Sequence, residues 1–340
     1  MADVAEATKD APEYRRKRQW PAEINVLAGL IIIIAVFEIL GWTLVHQSFV
    51  LNPARIQIVI LQVSIVGIIA VGVTQVIITG GIDLSSGSVV GATAMITMSF
   101  AQVSTYTRAV YPALTDLPVI VPIAVGLACG LIAGLINGTI IAYTKIPPFI
   151  ATLGMMVSAR GVADWYTKGQ PVSFPTDSFA AIAIGLRPII ILLVVAAIFQ
   201  ILLRYTLYGR RTYAIGSNAH AARVSGINIE RHLVLVYALA GLLSGLAAIV
   251  LASRNLTAQA GMGFGYELDA IAMAVIGGTS LYGGRGSIVG TLLGMLIFGV
   301  IISGFTFLRI DAFYQEMIKG VIIVGAVVQD VYRQRRKARG

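Results

Sequence analysis

Long apolar runs separated by short polar segments dominate the chain from residue 26 onward. The hydrocarbon core of a bilayer is about 30 Å thick, and about 20 helical residues cross it. On this rule the pattern predicts an all-α polytopic membrane protein with about ten transmembrane helices. They are expected at 26–46, 56–79, 86–103, 118–143, 147–166, 188–205, 232–252, 267–281, 287–305 and 313–331. The third, fifth and eighth are short or interrupted by glycine, so we expect them to be broken or tilted.

The polar segments divide the chain into a transmembrane domain, 26–331, and two basic tails, 1–25 and 332–340. The longest polar segment inside the domain is the loop 206–232, which contains a helix-compatible stretch at 219–224. Loops of this length without a function are uncommon in compact proteins. The loop is therefore interpreted as a docking surface for another protein; the alternative is a solvated connector.

Composition agrees with a membrane protein, since 57% of residues are apolar, 12% are charged and the mean hydropathy is +0.85. If the predicted helices alternate from a cytoplasmic N-terminus, 17 of the 25 Lys and Arg residues fall on the cytoplasmic side and six on the other. This bias predicts that both termini are cytoplasmic. The net charge of +9 is thus explained by orientation and by contact with anionic lipid, without nucleic-acid binding.

Two glycine-rich segments resemble each other. GGIDL at 80–84 is followed by GSVVG at 87–91, and GGTSL at 277–281 is followed by GSIVG at 286–290. Both lie where a predicted helix that runs toward the cytoplasm is followed by one that runs away from it. Because the two segments have the same orientation, the pattern predicts a parallel internal repeat. The alternative is chance, because glycine is abundant, with 36 residues.

Consecutive glycines weaken a helix and permit positive φ, and helices broken at matching places in two halves of a chain indicate a translocation path. The candidate path residues are Gly80, Gly81, Asp83, Ser88, Gly277, Gly278 and Ser287. Ser88 and Ser287 are expected to cap the helices that follow the breaks. The alternative is close helix packing, which is the preferred interpretation for the ladder Gly126, Gly130, Gly134 and Gly138.

Sequence motifs for catalysis or cofactor binding are absent. The sequence contains no GxxxxGK[ST] nucleotide loop, no HExxH and no GxSxG. We therefore expect no enzyme activity, catalytic residue, metal or cofactor in this chain. Intramembrane carboxylates and histidines do not form a series across the membrane, so the energy for transport is expected to come from elsewhere. A secondary transporter or channel for a small polar solute, and a membrane scaffold, remain alternatives.

Four ordered motifs resemble those of the ribose-type sugar permeases of ABC importers, which serve ribose, xylose, arabinose, galactose and inositol systems. They are GGIDLS at 80–85, KIPPFIATLG at 145–154, the segment 209–227 and the segment 277–290. The resemblance covers about residues 26–332. Ser86 departs from the small apolar residue that relatives often have there, which puts a sugar-contact role for that turn in doubt.

The resemblance implies a permease subunit in the bacterial inner membrane, paired with a second permease copy. A cytoplasmic sugar-type ATPase would bind the ATP, and a periplasmic binding protein would deliver the sugar. The coupling helix would be carried by Asn218, Ala221, Ala222, Arg223, Ser225 and Gly226. Which sugar or polyol is carried is not specified by the sequence.

Overall fold

The computed structural model describes residues 22–338, and the basic cluster at 15–18 lies outside this range. The chain folds into helices with one two-stranded β-pair, β1–β2. The helices are α1 (Ala22–Leu40), α2 (Pro53–Ile78), α3 (Ser86–Ser99), α4 (Ile120–Thr144), α5 (Pro148–Tyr166), α6 (Asp177–Ala180), α7 (Arg187–Tyr205), α8 (Leu207–Ser217), α9 (Ala219–Val224), α10 (Ile229–Asn255), α11 (Tyr266–Ile276), α12 (Ile288–Phe307) and α13 (Ala312–Ala338). A π-helical turn (Gly41–Val45) and two 3-10 turns (Pro112–Leu114, Ala181–Ala183) complete them, and the strands are β1 (Val172–Ser173) and β2 (Thr257–Ala258).

Each predicted span coincides with a helix, but within residues 22–338 only seven helices are long and apolar enough to cross a membrane. The three predicted spans whose helices do not meet this criterion are α3, α5 and α11, the same three that were expected to be broken or tilted. With 14 and 11 residues, α3 and α11 are about 21 and 16 Å long, too short for a bilayer core. The count of ten crossing helices is therefore not confirmed. At the C-terminal end, α13 continues to Ala338, so helix extends into the segment predicted as a tail.

The helices α2, α3 and α10 form the buried centre of the molecule. The glycine ladder of α4 packs directly on α10, as predicted. A Cβ at Gly130 would lie 2.7 Å from the Cα of Gly245, and one at Gly134 would lie 3.0 Å from the Cα of Ala238. The two backbones meet here because neither helix places a side chain between them. Helix α10 also packs against α2 and α3, the helices on either side of the first break described next.

Candidate functional site

The first break separates α2 from α3 and is a Schellman helix end. Gly80 has φ +84°. Its N–H donates to the Ile77 carbonyl at 2.9 Å, and the Gly81 N–H donates to the Val76 carbonyl at 3.0 Å. Only glycine adopts this left-handed conformation without strain. Gly81 has a different role: it lacks positive φ, and a Cβ there would collide with the Tyr237 hydroxyl.

The second break, between α11 and α12, repeats this geometry. Gly278 has φ +94°. Its N–H donates to the Val275 carbonyl at 2.9 Å, and the Thr279 N–H donates to the Ala274 carbonyl at 3.0 Å. The structural counterpart of Gly80 is thus Gly278, whereas the sequence repeat paired Gly80 with Gly277. The two helix ends match, with the register shifted by one residue.

The two helices that follow the breaks, α3 and α12, differ from each other in how they begin. Ser287 caps α12, because its Oγ accepts a hydrogen bond from the Gly290 N–H at 3.0 Å. The same Oγ donates to Glu23 Oε1 at 3.0 Å. The expectation that Ser88 caps α3 is wrong, since α3 begins at Ser86 with Ser85 as its N-cap, and Ser88 lies inside the first turn.

Buried polar groups hold the first break in place. The Ser85 N–H and Oγ both donate to Asp83 Oδ1, at 2.8 and 2.6 Å. Asn137 Nδ2 on α4 donates to Ser85 Oγ at 2.9 Å. Thr152 Oγ1 on α5 lies 3.2 Å from the Ile82 carbonyl, to which it donates. The turn between α2 and α3 is therefore fixed to two neighbouring helices by side chains that sequence reasoning did not single out.

A cavity of about 420 Å³ opens beside the second break. Its lining includes Glu23, Gly277, Gly278, Arg285, Ser287 and Asp330. In contrast, Gly81, Asp83 and Ser88 at the first break are buried, while Gly80 is exposed. The seven residues predicted for a path are thus distributed over two places, and three of them line this cavity.

Helix α8 joins the two breaks through direct backbone contact. The Gly284 N–H, in the second break, donates to the Ile78 carbonyl at the end of α2, at 2.8 Å. A Cβ at Gly216 of α8 would collide with that same carbonyl and would lie 2.5 Å from the Gly284 nitrogen. Three backbones therefore meet at Gly216. No sequence pattern had indicated this contact.

Two tyrosines of α8 extend the same connection. The Tyr213 hydroxyl donates to the Gly286 carbonyl at 2.8 Å, and the Tyr208 hydroxyl donates to Gln75 Oε1 on α2 at 2.6 Å. Burial raises the pKa of both phenols, so both stay protonated donors at neutral pH. The clustering of Tyr208 and Tyr213 with Gly209 and Gly216 on one short helix is the feature that could have drawn attention to them.

The short helix expected in the 206–232 loop is present as α9. The Asn218 side chain caps it by accepting from the Ala221 N–H at 2.9 Å, and Ser225 Oγ donates back to the Ala221 carbonyl at 2.9 Å. Gly226 follows with φ +82° and turns the chain, as expected. Asn218 therefore caps the start of α9, while Ser225 and Gly226 shape its end, all through contacts within this chain.

The remaining coupling residues are placed differently from expectation. Ala222 is 4% exposed and packs with Ile215 and Ile229, so its side chain faces this chain's own core. Arg223, also expected to belong to a docking surface, forms an ion pair with Glu230 at 2.5 Å within the chain. The outward apolar side chain is Val224, 78% exposed, which the sequence analysis did not single out.

Known proteins resemble the chain over nearly its whole length. A family model described as the permease component of branched-chain amino acid transport systems matches residues 55–327. The ribose import permease protein RbsC of Bacillus subtilis (strain 168) is 41% identical over 318 residues, covering 91% of this chain and 92% of the relative. RbsC of Escherichia coli (strain K12) is 38% identical over 326 residues, covering 93% and 96%.

The galactose/methyl galactoside import permease protein MglC of Haemophilus influenzae (strain ATCC 51907 / DSM 11121 / KW20 / Rd) is 36% identical over 311 residues, covering 88% of this chain and 93% of the relative. No solved structure matches the chain. Matches of this length and identity leave no large segment of the transmembrane domain unaccounted for. The chain therefore belongs to the ribose-type sugar permease family of ABC importers.

Proposed function

We propose that this chain is the membrane subunit of an ABC importer and forms the path for a monosaccharide or a related polyol. The observation that carries the proposal is full-length similarity to import permeases named for ribose and galactose. The family model is named for branched-chain amino acids and matches a shorter range, 55–327. The named sugar permeases therefore carry more weight on the substrate class.

Energy enters through a separate cytoplasmic ATPase, because the sequence lacks a nucleotide loop of its own. The segment Leu207–Val224 is the docking element in this proposal. Its support is the exposed apolar side chain of Val224 on α9 and the contact of α8 with both helix breaks. A periplasmic binding protein delivers the sugar to the opposite face, and a second permease copy completes the pore.

Both termini face the cytoplasm in this proposal, so that α8 and α9 lie on the ATPase side. The support is the asymmetric distribution of Lys and Arg along the sequence. Single cysteines placed near each terminus should be labelled only from the cytoplasmic side, with Cys129 replaced beforehand. Labelling of either terminus from outside would exclude this orientation.

Reconstitution tests the function directly. The chain is placed in proteoliposomes with a sugar-type ABC ATPase and a sugar-binding protein from the same organism, and uptake of labelled pentoses, hexoses and inositol is measured. ATP-dependent uptake of at least one of them is expected, and none without the ATPase. ATP-dependent uptake of leucine or valine, with no sugar taken up, would refute the substrate class.

A further inference from the structure

Unpaired buried polar atoms are concentrated around the turn that follows the first break. Within residues 22–338, six buried side-chain polar atoms have no hydrogen-bond partner. Four of them are Ser86 Oγ, Asn137 Oδ1, the Tyr237 hydroxyl and Glu267 Oε2. Folded proteins pair nearly all such atoms, and the interior of a membrane offers no water to replace a missing partner. Four along one turn therefore require an explanation.

The backbone of residues 81–87 lies directly against two of these atoms. A Cβ at Gly81 would collide with the Tyr237 hydroxyl, and a Cβ at Gly87 would collide with Glu267 Oε2. Asn137 belongs to the same group, because its Nδ2 donates to Ser85 in the middle of the turn. The two glycines thus let the turn close over polar atoms that it does not bond.

Two of these atoms belong to residues well inside long helices. Tyr237 is eight residues beyond the first residue of α10, and Asn137 is seven residues before the last residue of α4. At 1.5 Å per residue, both are about 10–12 Å from the helix ends on the side predicted to be cytoplasmic. Burial is nearly complete, with exposures of 1% for Tyr237, 2% for Asn137 and 8% for Glu267.

The chemistry of the group fits a neutral polyhydroxylated molecule. An amide oxygen and a carboxylate oxygen accept hydrogen bonds, and two hydroxyls both donate and accept. Arg160 Nη1 donates to the carbonyls of Ala260 and Met262. Sugar hydroxyls would satisfy these atoms without a counter-charge, which a zwitterionic amino acid would require.

We propose that Ser86, Asn137, Tyr237 and Glu267 form an occluded binding site for the hydroxyl groups of the transported sugar, exposed when the 81–87 turn breaks its hydrogen bonds to Asn137 and Thr152 and moves aside. The site rests on the proposed function and names side chains that contact the substrate during passage. In the closed conformation the four atoms lack partners, and in the open one the sugar supplies them. A site built from such groups rejects an analogue that lacks the matching hydroxyl.

The test combines Tyr237→Phe, which removes the unpaired hydroxyl, with monodeoxy analogues of the transported sugar. Initial ATP-dependent uptake rates are measured in proteoliposomes holding the complete importer. The binding protein also discriminates among analogues, but its contribution is the same for both permeases and cancels when the two preference ratios are divided. We expect Tyr237→Phe to reduce the preference for the parent sugar over one analogue about 3- to 10-fold, and to leave the other preferences unchanged.

Tyr213→Phe is the matched control, because it removes the same hydroxyl group from a tyrosine whose hydroxyl is already bonded to the Gly286 carbonyl. This variant can have a lower overall uptake rate, but each of its preference ratios should equal that of the unmodified protein. Tyr237→Phe should also melt no lower than the unmodified protein, since it removes only an unpaired group. Asn137→Leu provides a second variant with an expected loss of preference for a different hydroxyl.

Three results would overturn the inference in distinguishable ways. If Tyr237→Phe and Asn137→Leu both keep every preference ratio, the four atoms are satisfied by fixed water and do not contact the sugar. If the unmodified importer takes up no sugar, the proposed function fails and the site fails with it. A changed ratio in the Tyr213→Phe control would show that the assay reports coupling and not contact.

Discussion

Val224 on α9 gives the most direct test of docking. It is 78% exposed at the end of the short helix, beside the exposed Ala221. Complete burial of a valine side chain is worth about 1.5–3 kcal/mol. Since about three quarters of Val224 is still exposed, covering it with a partner should contribute about 1–2 kcal/mol, or roughly 5- to 30-fold in Kd. Val224→Asp removes this contribution and adds the cost of desolvating a carboxylate.

The assay is ATPase binding to the permease in nanodiscs, measured together with uptake. Val224→Asp should weaken binding at least about tenfold while the permease inserts normally, because the side chain contacts little of its own chain. Ala219→Asp is the control: it adds the same charge to an exposed position on another face of α9, where an acidic residue favours the helix N-terminus. Equal ATPase affinity for Val224→Asp and Ala219→Asp would refute the assignment of this face.

Three further substitutions test the placement of single residues. Ala222→Glu should lower folded yield and melting temperature, because it buries a carboxylate; a stable protein that lacks only ATPase binding would contradict this. Gly216→Ala should cost about 1–3 kcal/mol of stability and reduce uptake, because its methyl group collides with the Ile78 carbonyl. Gly320→Ala, in open space, should instead add up to about 1 kcal/mol, and equal melting of the two would contradict the contact. Gly278→Ala should cost about 1–2 kcal/mol from positive φ alone, since a Cβ there has free space; an unchanged denaturation midpoint would contradict the left-handed geometry.

The positions of the helices could be predicted from the sequence because lipid-facing helices must be apolar along their whole length. α4 and α7 illustrate this, since the predicted spans 118–143 and 188–205 agree with the observed Ile120–Thr144 and Arg187–Tyr205. The short helices α3 and α11 did not follow the rule. Protein surrounds them, so their length is set by neighbouring helices and not by the thickness of the bilayer. Hydropathy alone does not report such a helix's length.

The register of the two breaks shows another limit. Each segment contains two adjacent glycines, and either could take the left-handed conformation. Which one does depends on where the preceding helix ends, after Ile78 in one case and after Ile276 in the other. That end point is fixed by packing, because Gly277 must approach the Gly290 backbone too closely for a Cβ. The assignment of Gly278 as the counterpart of Gly80 therefore required the fold.

Contacts between distant parts of the chain left no pattern in the sequence, and the contact at Gly216 is the most consequential. Side chains separate most packed elements and absorb small displacements by changing rotamer. At Gly216 the backbones of α8, α2 and the second break meet with no side chain between them. A displacement of α8 must therefore move the Ile78 carbonyl and the Gly284 amide together, or break the hydrogen bond that joins them. If the ATPase shifts α9, the adjoining α8 should transmit that displacement to both breaks, because no side chain lies between their backbones to absorb it. In the proposed docking, the contact at Gly216 is thus what would let one helix act on both breaks at once.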